Sequence, residues 1–290
     1  MKIRIIGLFI LLPVLVVTLY AQDLPAYRIF SSSGKAISFE KMAKDLSDEE
    51  LVLFGELHDN AIAHWLQLEL TKRLFQLNGT KLALGAEMFE THQNKYLQQY
   101  LVDGNDKAFR DSTKLWSNYG TDYKPLVDFA RTNTLAFFAS NVPRKYASMI
   151  FKKGPASFDS ISAEERLLLC PLPFPFDSTL TQYQELIKMG MEMHASGINF
   201  AKAQAIKDAT MAWNITLQLH AGKTVLHYNG SYHSDYHQSI CWYVEQYRKG
   251  TRLKTISVVT QADLKKLSPE FFDKADYIIV VDEDVTRTME

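Results

Sequence analysis

Three short apolar runs in this chain end in ionisable side chains. Leu51–Phe54 leads into Gly55, Glu56, Leu57, His58 and Asp59. Leu82–Ala86 leads into Glu87, and Thr224–Tyr228 leads through Asn229 and Gly230 to His233. A carboxylate at the end of a buried strand is costly to bury unless it is paired, protonated or metal-bound. Glutamate and histidine together offer general acid–base chemistry, or activation of a water on a metal. Glu56, His58, Glu87 and His233 are therefore the candidate catalytic residues and equally the candidate metal ligands. Oxygen and imidazole ligands suit manganese, iron, cobalt or zinc. If Glu56 and Glu87 sit on adjacent strands, their Cα atoms are only ~5 Å apart, and a shared proton or cation must relieve the repulsion.

A second set of residues stands behind these. Gln204, Asp208, Met211 and Ile215 recur at helical spacing and share one stripe. Asp208 is placed to orient a histidine, as carboxylates behind metal-site histidines do. Asn141, at the exit of a further strand, joins this supporting set. Asp59 and Asn60 read as helix caps rather than chemistry. His194 closes the run Met189-Gly-Met-Glu-Met-His194, in which thioethers can wrap a flat apolar ligand. Tyr119 and Tyr123 lie in a loop near Trp116, and tyrosinate is one of the axial ligand types of haem iron. No glycine-rich nucleotide loop and no Gly-x-Ser-x-Gly elbow is present. The formal net charge is −1, which argues against nucleic acid as a partner.

The elements that must position these residues alternate. Strands are predicted at Leu51–Phe54, Leu82–Ala86, Leu135–Ala139, Lys223–Tyr228, Lys254–Thr260 and Tyr277–Val281. Helices are predicted between them at Ala61–Leu77, Gln93–Leu101, Pro125–Thr132 and Tyr236–Tyr247. Such alternation implies βαβ units and an α/β fold, a mainly parallel sheet flanked by helices. In sheets of this kind the carboxyl ends of the strands line the ligand crevice. The mostly helical stretch at about 144–219 interrupts the rhythm and reads as an insertion or cap. Residues 1–21 combine a basic start, the apolar stretch Ile5–Val17 and a small residue at Ala21, the pattern of a signal peptide. The mature domain is then 22–290, exported to the periplasm or envelope, with no cysteine near the cleavage point for lipid attachment. Cys170 and Cys241 form either a disulfide or two separate thiols.

Six segments taken together resemble the ChaN-like family, haem-binding proteins of bacterial iron uptake within the wider Tiki superfamily. They are Gly55–Asn60, Gly85–Phe89, Tyr123–Arg131, Ala139–Arg144, Gln204–Ala212 and Asn229–Asp235. The resemblance implies haem capture at the cell envelope in the service of iron acquisition. Haem would lie between cap and sheet or between two subunits of a homodimer, with envelope haem-transport components as partners. His194, Tyr119 and Tyr123 are then the candidate iron ligands on chemical grounds. The superfamily also contains metal-dependent proteases and erythromycin-esterase-like hydrolases. By that analogy Glu56, His58, Glu87 and His233 would form a hydrolytic site.

Overall fold

The computed structural model describes residues 25–289. The segment read as a signal peptide lies outside them. The chain opens with a hairpin not predicted from the sequence, β1 (Tyr27–Ser31) and β2 (Ala36–Ile37), followed by helix α1 (Phe39–Ser47). Then come β3 (Leu51–Glu56), α2 (Ala61–Asn78), β4 (Leu82–Glu90), α3 (Asn94–Asp103), α4 (Asp106–Ser112), α5 (Lys124–Thr132) and β5 (Ala136–Asn141). A helical tract follows: α6 (Arg144–Lys153), α7 (Ala163–Arg166), α8 (Thr181–Glu192) and α9 (Gly197–His220). The chain finishes with β6 (Thr224–Gly230), α10 (Ile240–Tyr247), β7 (Leu253–Gln261) and β8 (Tyr277–Asp282).

The eight strands form one sheet in the order β2-β1-β8-β7-β3-β6-β4-β5. Strands β3 to β8 pair in parallel, and the opening hairpin adds an antiparallel edge to β8. The central strands read as continuous apolar runs because both of their faces are covered. One face packs Val52, Phe54, Leu84 and Leu226 against α2, α3 and α5. The other packs Leu51, Leu53, Ala83 and Val225 against α6, α9 and α10. The tract expected to be a cap is thus also the second helical layer of the domain. Among the described residues no helix is long and apolar enough to cross a membrane. Cys170 and Cys241 are separate, buried thiols.

The strand order corrects one expectation. Glu56 and Glu87 are not on neighbouring strands, because β6 runs between β3 and β4. Two strand spacings separate them by roughly 10 Å, so their carboxylates do not force a shared cation. The register sets Glu56 opposite Gly230, and Ala86 opposite Tyr228. Gly230 therefore marks the point between the two acids.

Candidate functional site

Each strand-end acid has its own retinue. Glu56 is buried and accepts a hydrogen bond from the Tyr123 hydroxyl at 2.6 Å, with His58 Nδ1 at 2.8 Å from the same oxygen. Its other oxygen accepts from the Gln67 amide on α2. Tyr123 reaches it from a π-helical turn, Tyr119–Tyr123, a distortion that recurs at functional positions. Asn60 caps α2 by accepting from the Ala63 N–H at 2.9 Å, as its residue type predicts. The His58 side chain is 35% exposed, whereas that of Glu56 is fully buried. Burial opposes charging of the imidazole, but the Glu56 hydrogen bond and charge outweigh it and raise the His58 pKa.

Glu87 holds the second centre. Its Oε2 accepts from the Gly230 N–H at 2.8 Å, and its Oε1 lies 3.1 Å from His233 Nε2. The other ring nitrogen of His233 contacts Asp208, which also accepts from the Tyr183 hydroxyl at 2.8 Å. Gln204 completes the ring, 2.9 Å from His233 Nε2. Burial disfavours the imidazolium, yet Glu87 and Asp208 on either side push the His233 pKa up to about 10. The same pairing overcomes desolvation at Glu87 and holds its carboxyl well below the ordinary range. Asp208 is raised, because its burial outweighs the help from His233. Asp208 and Gln204 thus stand where their helical stripe put them. Asn141 donates to the Glu87 carbonyl at 3.0 Å, and its own Oδ1 is buried without a partner.

Gly230 lets the two centres meet. A Cβ there would fall 2.8 Å from His58 Nε2 and 3.6 Å from Glu87 Oε2. The four residues read as one metal site stand instead as two histidine–carboxylate groups on either side of a bare backbone. Among the described residues no cluster of three histidine, cysteine or acidic side chains has the geometry to hold a metal ion.

Beside this floor runs a groove made of two adjoining cavities, of about 410 and about 650 Å3. Glu90, Trp116 and Arg144 line both. Glu87, Asn141 and Gln204 reach the first from the floor, and Met88, Val142, Phe151 and Phe200 supply its apolar wall. Leu115, Pro143 and Leu168 continue that wall in the second. Lys114, Arg144 and Lys207 stand around it, and among the described residues none has a carboxylate within ion-pair distance. Trp116 also packs edge-on against His58, with ring centres 4.8 Å apart.

The residues read as iron ligands are placed elsewhere. Tyr119 and Tyr123 are buried, and burial raises both hydroxyl pKa values far above the ordinary one. Tyr123 is committed to Glu56. His194 is exposed in the turn between α8 and α9, and it lines neither cavity. The periodicity that gave Asp208 could not show which other residues face the groove. Glu90, His92, Lys114, Arg144 and Lys207 carry no pattern of their own.

A parallel sheet with polar strand ends beneath an apolar, cation-rimmed groove defines an α/β protein built to bind a small molecule at the carboxyl edge. The chain belongs to the haem-binding uptake family of the Tiki superfamily, ChaN, whose model matches residues 42–244. The solved structure described as cofacial heme binding to ChaN of Campylobacter jejuni superposes with a TM-score of 0.65 at 18% identity, covering 88% of this chain and 97% of that one. A protein of Bacillus cereus superposes with a TM-score of 0.51 at 11% identity, covering 83% and 90%. At these identities the likeness speaks to the fold. No curated protein matches the sequence.

Proposed function

We propose that the protein binds haem in the carboxyl-edge groove and serves haem or iron acquisition outside the cytoplasm. The observation that carries this reading is the match between groove and ligand. Haem is a flat apolar ring with two carboxylates, and the groove offers an apolar wall beside three cations that have no carboxylate partner among the described residues. The cavity volumes fall in the ordinary range for small-molecule sites, roughly 300–1,000 Å3. Bound haem would supply a redox-active iron, while Trp116, Phe151 and Phe200 would hold the ring and exclude water. Arg144, Lys114 and Lys207 would receive the propionates through charge-assisted hydrogen bonds. Export is supported by the apolar stretch Ile5–Val17 with Ala21 behind it. The cofacial haem of the Campylobacter protein supports a homodimer in which two haems face one another.

Titration of the purified chain with hemin tests the reading, with a saturable Soret change at defined stoichiometry as the expected result. Absence of any saturable change overturns it. Arg144→Glu is expected to weaken hemin by about 1.5–3 kcal/mol, the worth of a hydrogen bond to a charged group. That is roughly a tenfold to hundredfold loss of affinity.

A second reading, hydrolysis, is favoured by one observation. His58 is partly exposed, held by a buried carboxylate and directed at Gly230 beside Glu87, as a general base beside its substrate would be. Turnover of small carboxylic esters that vanishes in His58→Ala supports it, and turnover unchanged by that substitution removes it.

A further inference from the structure

We propose that the turn joining α8 to α9 is a binding site for copper(I), held by the thioethers of Met189, Met191 and Met193 and the imidazole of His194. None of these residues lines the groove, so the inference goes beyond the haem reading and does not depend on it.

Methionine is usually a core residue, and Met42, Met88 and Met211 are buried. Met189, Met191 and Met193 are instead 48, 58 and 62% exposed. Single exposed apolar side chains are ordinary, but a contiguous patch marks a surface that binds something. The apolar side chains of Met189–His194 are thioethers throughout, and an imidazole completes the run. A face made to dock a protein would be served equally by leucine, whereas sulfur at each place adds a set of donors. Soft thioether ligands select copper(I), and imidazole also suits copper. Harder ions are poorly served, because Glu192 is the single acid of the run and lies 4.0 Å from Lys188. Among the described residues no group of three histidine, cysteine or acidic side chains could hold a metal ion.

The backbone gathers the four side chains. Met189 and Met193 stand four residues apart and share a face at the end of α8, with the Met193 N–H donating to the Met189 carbonyl at 3.0 Å. The His194 N–H donates to the Met191 carbonyl at 3.0 Å, and His194 takes a left-handed backbone, φ 55°, that turns the chain back. Met191 leans on the start of α9, its Cγ 3.0 Å from where a Cβ on Gly197 would stand. The two helices meet at glycines, since a Cβ on Gly190 would fall 2.8 Å from Gly197 Cα. The hairpin is therefore fixed, while each methionine keeps the rotatable bonds with which to close on an ion. The His194 imidazole is exposed, and among the described residues it has no hydrogen-bond or ion-pair partner.

Copper(I) supplied anaerobically to the purified chain, in competition with the chromophoric chelator bicinchoninate, tests the site. Wild-type protein is expected to withdraw a single equivalent. The variant carrying Met189→Leu, Met191→Leu and Met193→Leu should lose this uptake with an unchanged far-UV circular dichroism spectrum, because leucine conserves volume and the positions are exposed. His194→Asn should weaken uptake while keeping a residue type that tolerates left-handed backbone. Silver(I), a redox-inert stand-in for copper(I), should shift the methyl resonances of Met189, Met191 and Met193 and leave those of Met42, Met88 and Met211 in place. The same shifts should appear in protein first treated with hemin, whether or not hemin binds. Absence of uptake by wild-type protein overturns the proposal, as does uptake retained by the triple variant. An affinity unaltered in His194→Asn removes the imidazole from the site. Silver shifts at Met88 alone would move the ion to the groove and overturn the assignment.

Discussion

At the scale of single residues, the determining contact is His233 between two buried carboxylates. Removing one partner of a buried ion pair leaves uncompensated charge and typically costs about 3–5 kcal/mol. His233→Asn should lower the unfolding free energy by about that much in urea titration, and a change below about 1 kcal/mol would refute the paired arrangement. Gly230→Ala tests the junction of the two centres. Its Cβ would fall 2.8 Å from His58 Nε2, so the imidazole must turn aside, at a cost of roughly 1–3 kcal/mol. The His58 pKa is raised, against its burial, by Glu56. Displacement should therefore bring it down, and proton NMR titration of the histidines reads the change. Much of this chemistry was legible in the sequence. Glu56, His58, Glu87 and His233 stood out because ionisable residues ended apolar runs, and Asp208 because it fell on a helical stripe. Their grouping was not legible, since which strand lies between which is a property of the sheet and not of any one run. His92, which lines the groove, was invisible for a plainer reason: a half-exposed histidine in a short polar turn breaks no rule of burial or periodicity.

At the scale of elements, α2 shows how a local signal fixes the site. It starts at a side-chain cap from Asn60 and carries Gln67 back to Glu56. Asn60→Ala should cost about 1 kcal/mol, within a range of roughly 0.5–2, measured as a lowered thermal midpoint. The six parallel strands were readable because strands covered on both faces are apolar throughout. Strand β4 was read too short, since it continues through Glu87 to Glu90, and a charged pair inside a strand looks like its end. The opening hairpin and α1 escaped notice for the opposite reason. Strand β1, next to the sheet edge, has mixed polarity, and β2 at the edge has only two residues, so neither builds a pattern. The tract at 144–219 looked like an insertion because no strand interrupts it. Its long helix α9 instead covers β5 and β6, buries Ala205, Ile206, Ala209 and Ala212 against the sheet side, and brings Gln204 and Asp208 to His233.

At the scale of the whole molecule, the buried charges make stability depend on pH. The His233 pKa rises from the ordinary 6.5 to about 10 on folding. Its contribution is complete below 6.5 and is lost as pH climbs through 10. Glu87 is depressed from 4.5, so its contribution is present above 4.5 and is lost as pH falls through the lowered value. Urea midpoints measured from pH 6 to pH 10 should decline, and the decline should flatten in His233→Asn. An equal slope in both proteins would rule out His233 as its source. The strand order has a further consequence, for the order in which the molecule is made. β3 and β4 have no bond to each other, and the strand that joins them spans Thr224–Gly230, late in the chain. A chain emerging from the ribosome carries both as unsatisfied apolar edges until that segment arrives, so closure waits on a long loop. Synthesis stopped at residue 219 should yield a chain without a cooperative unfolding transition. The same delay would leave the growing polypeptide threadable, which is what the proposed export through a translocation pore would require.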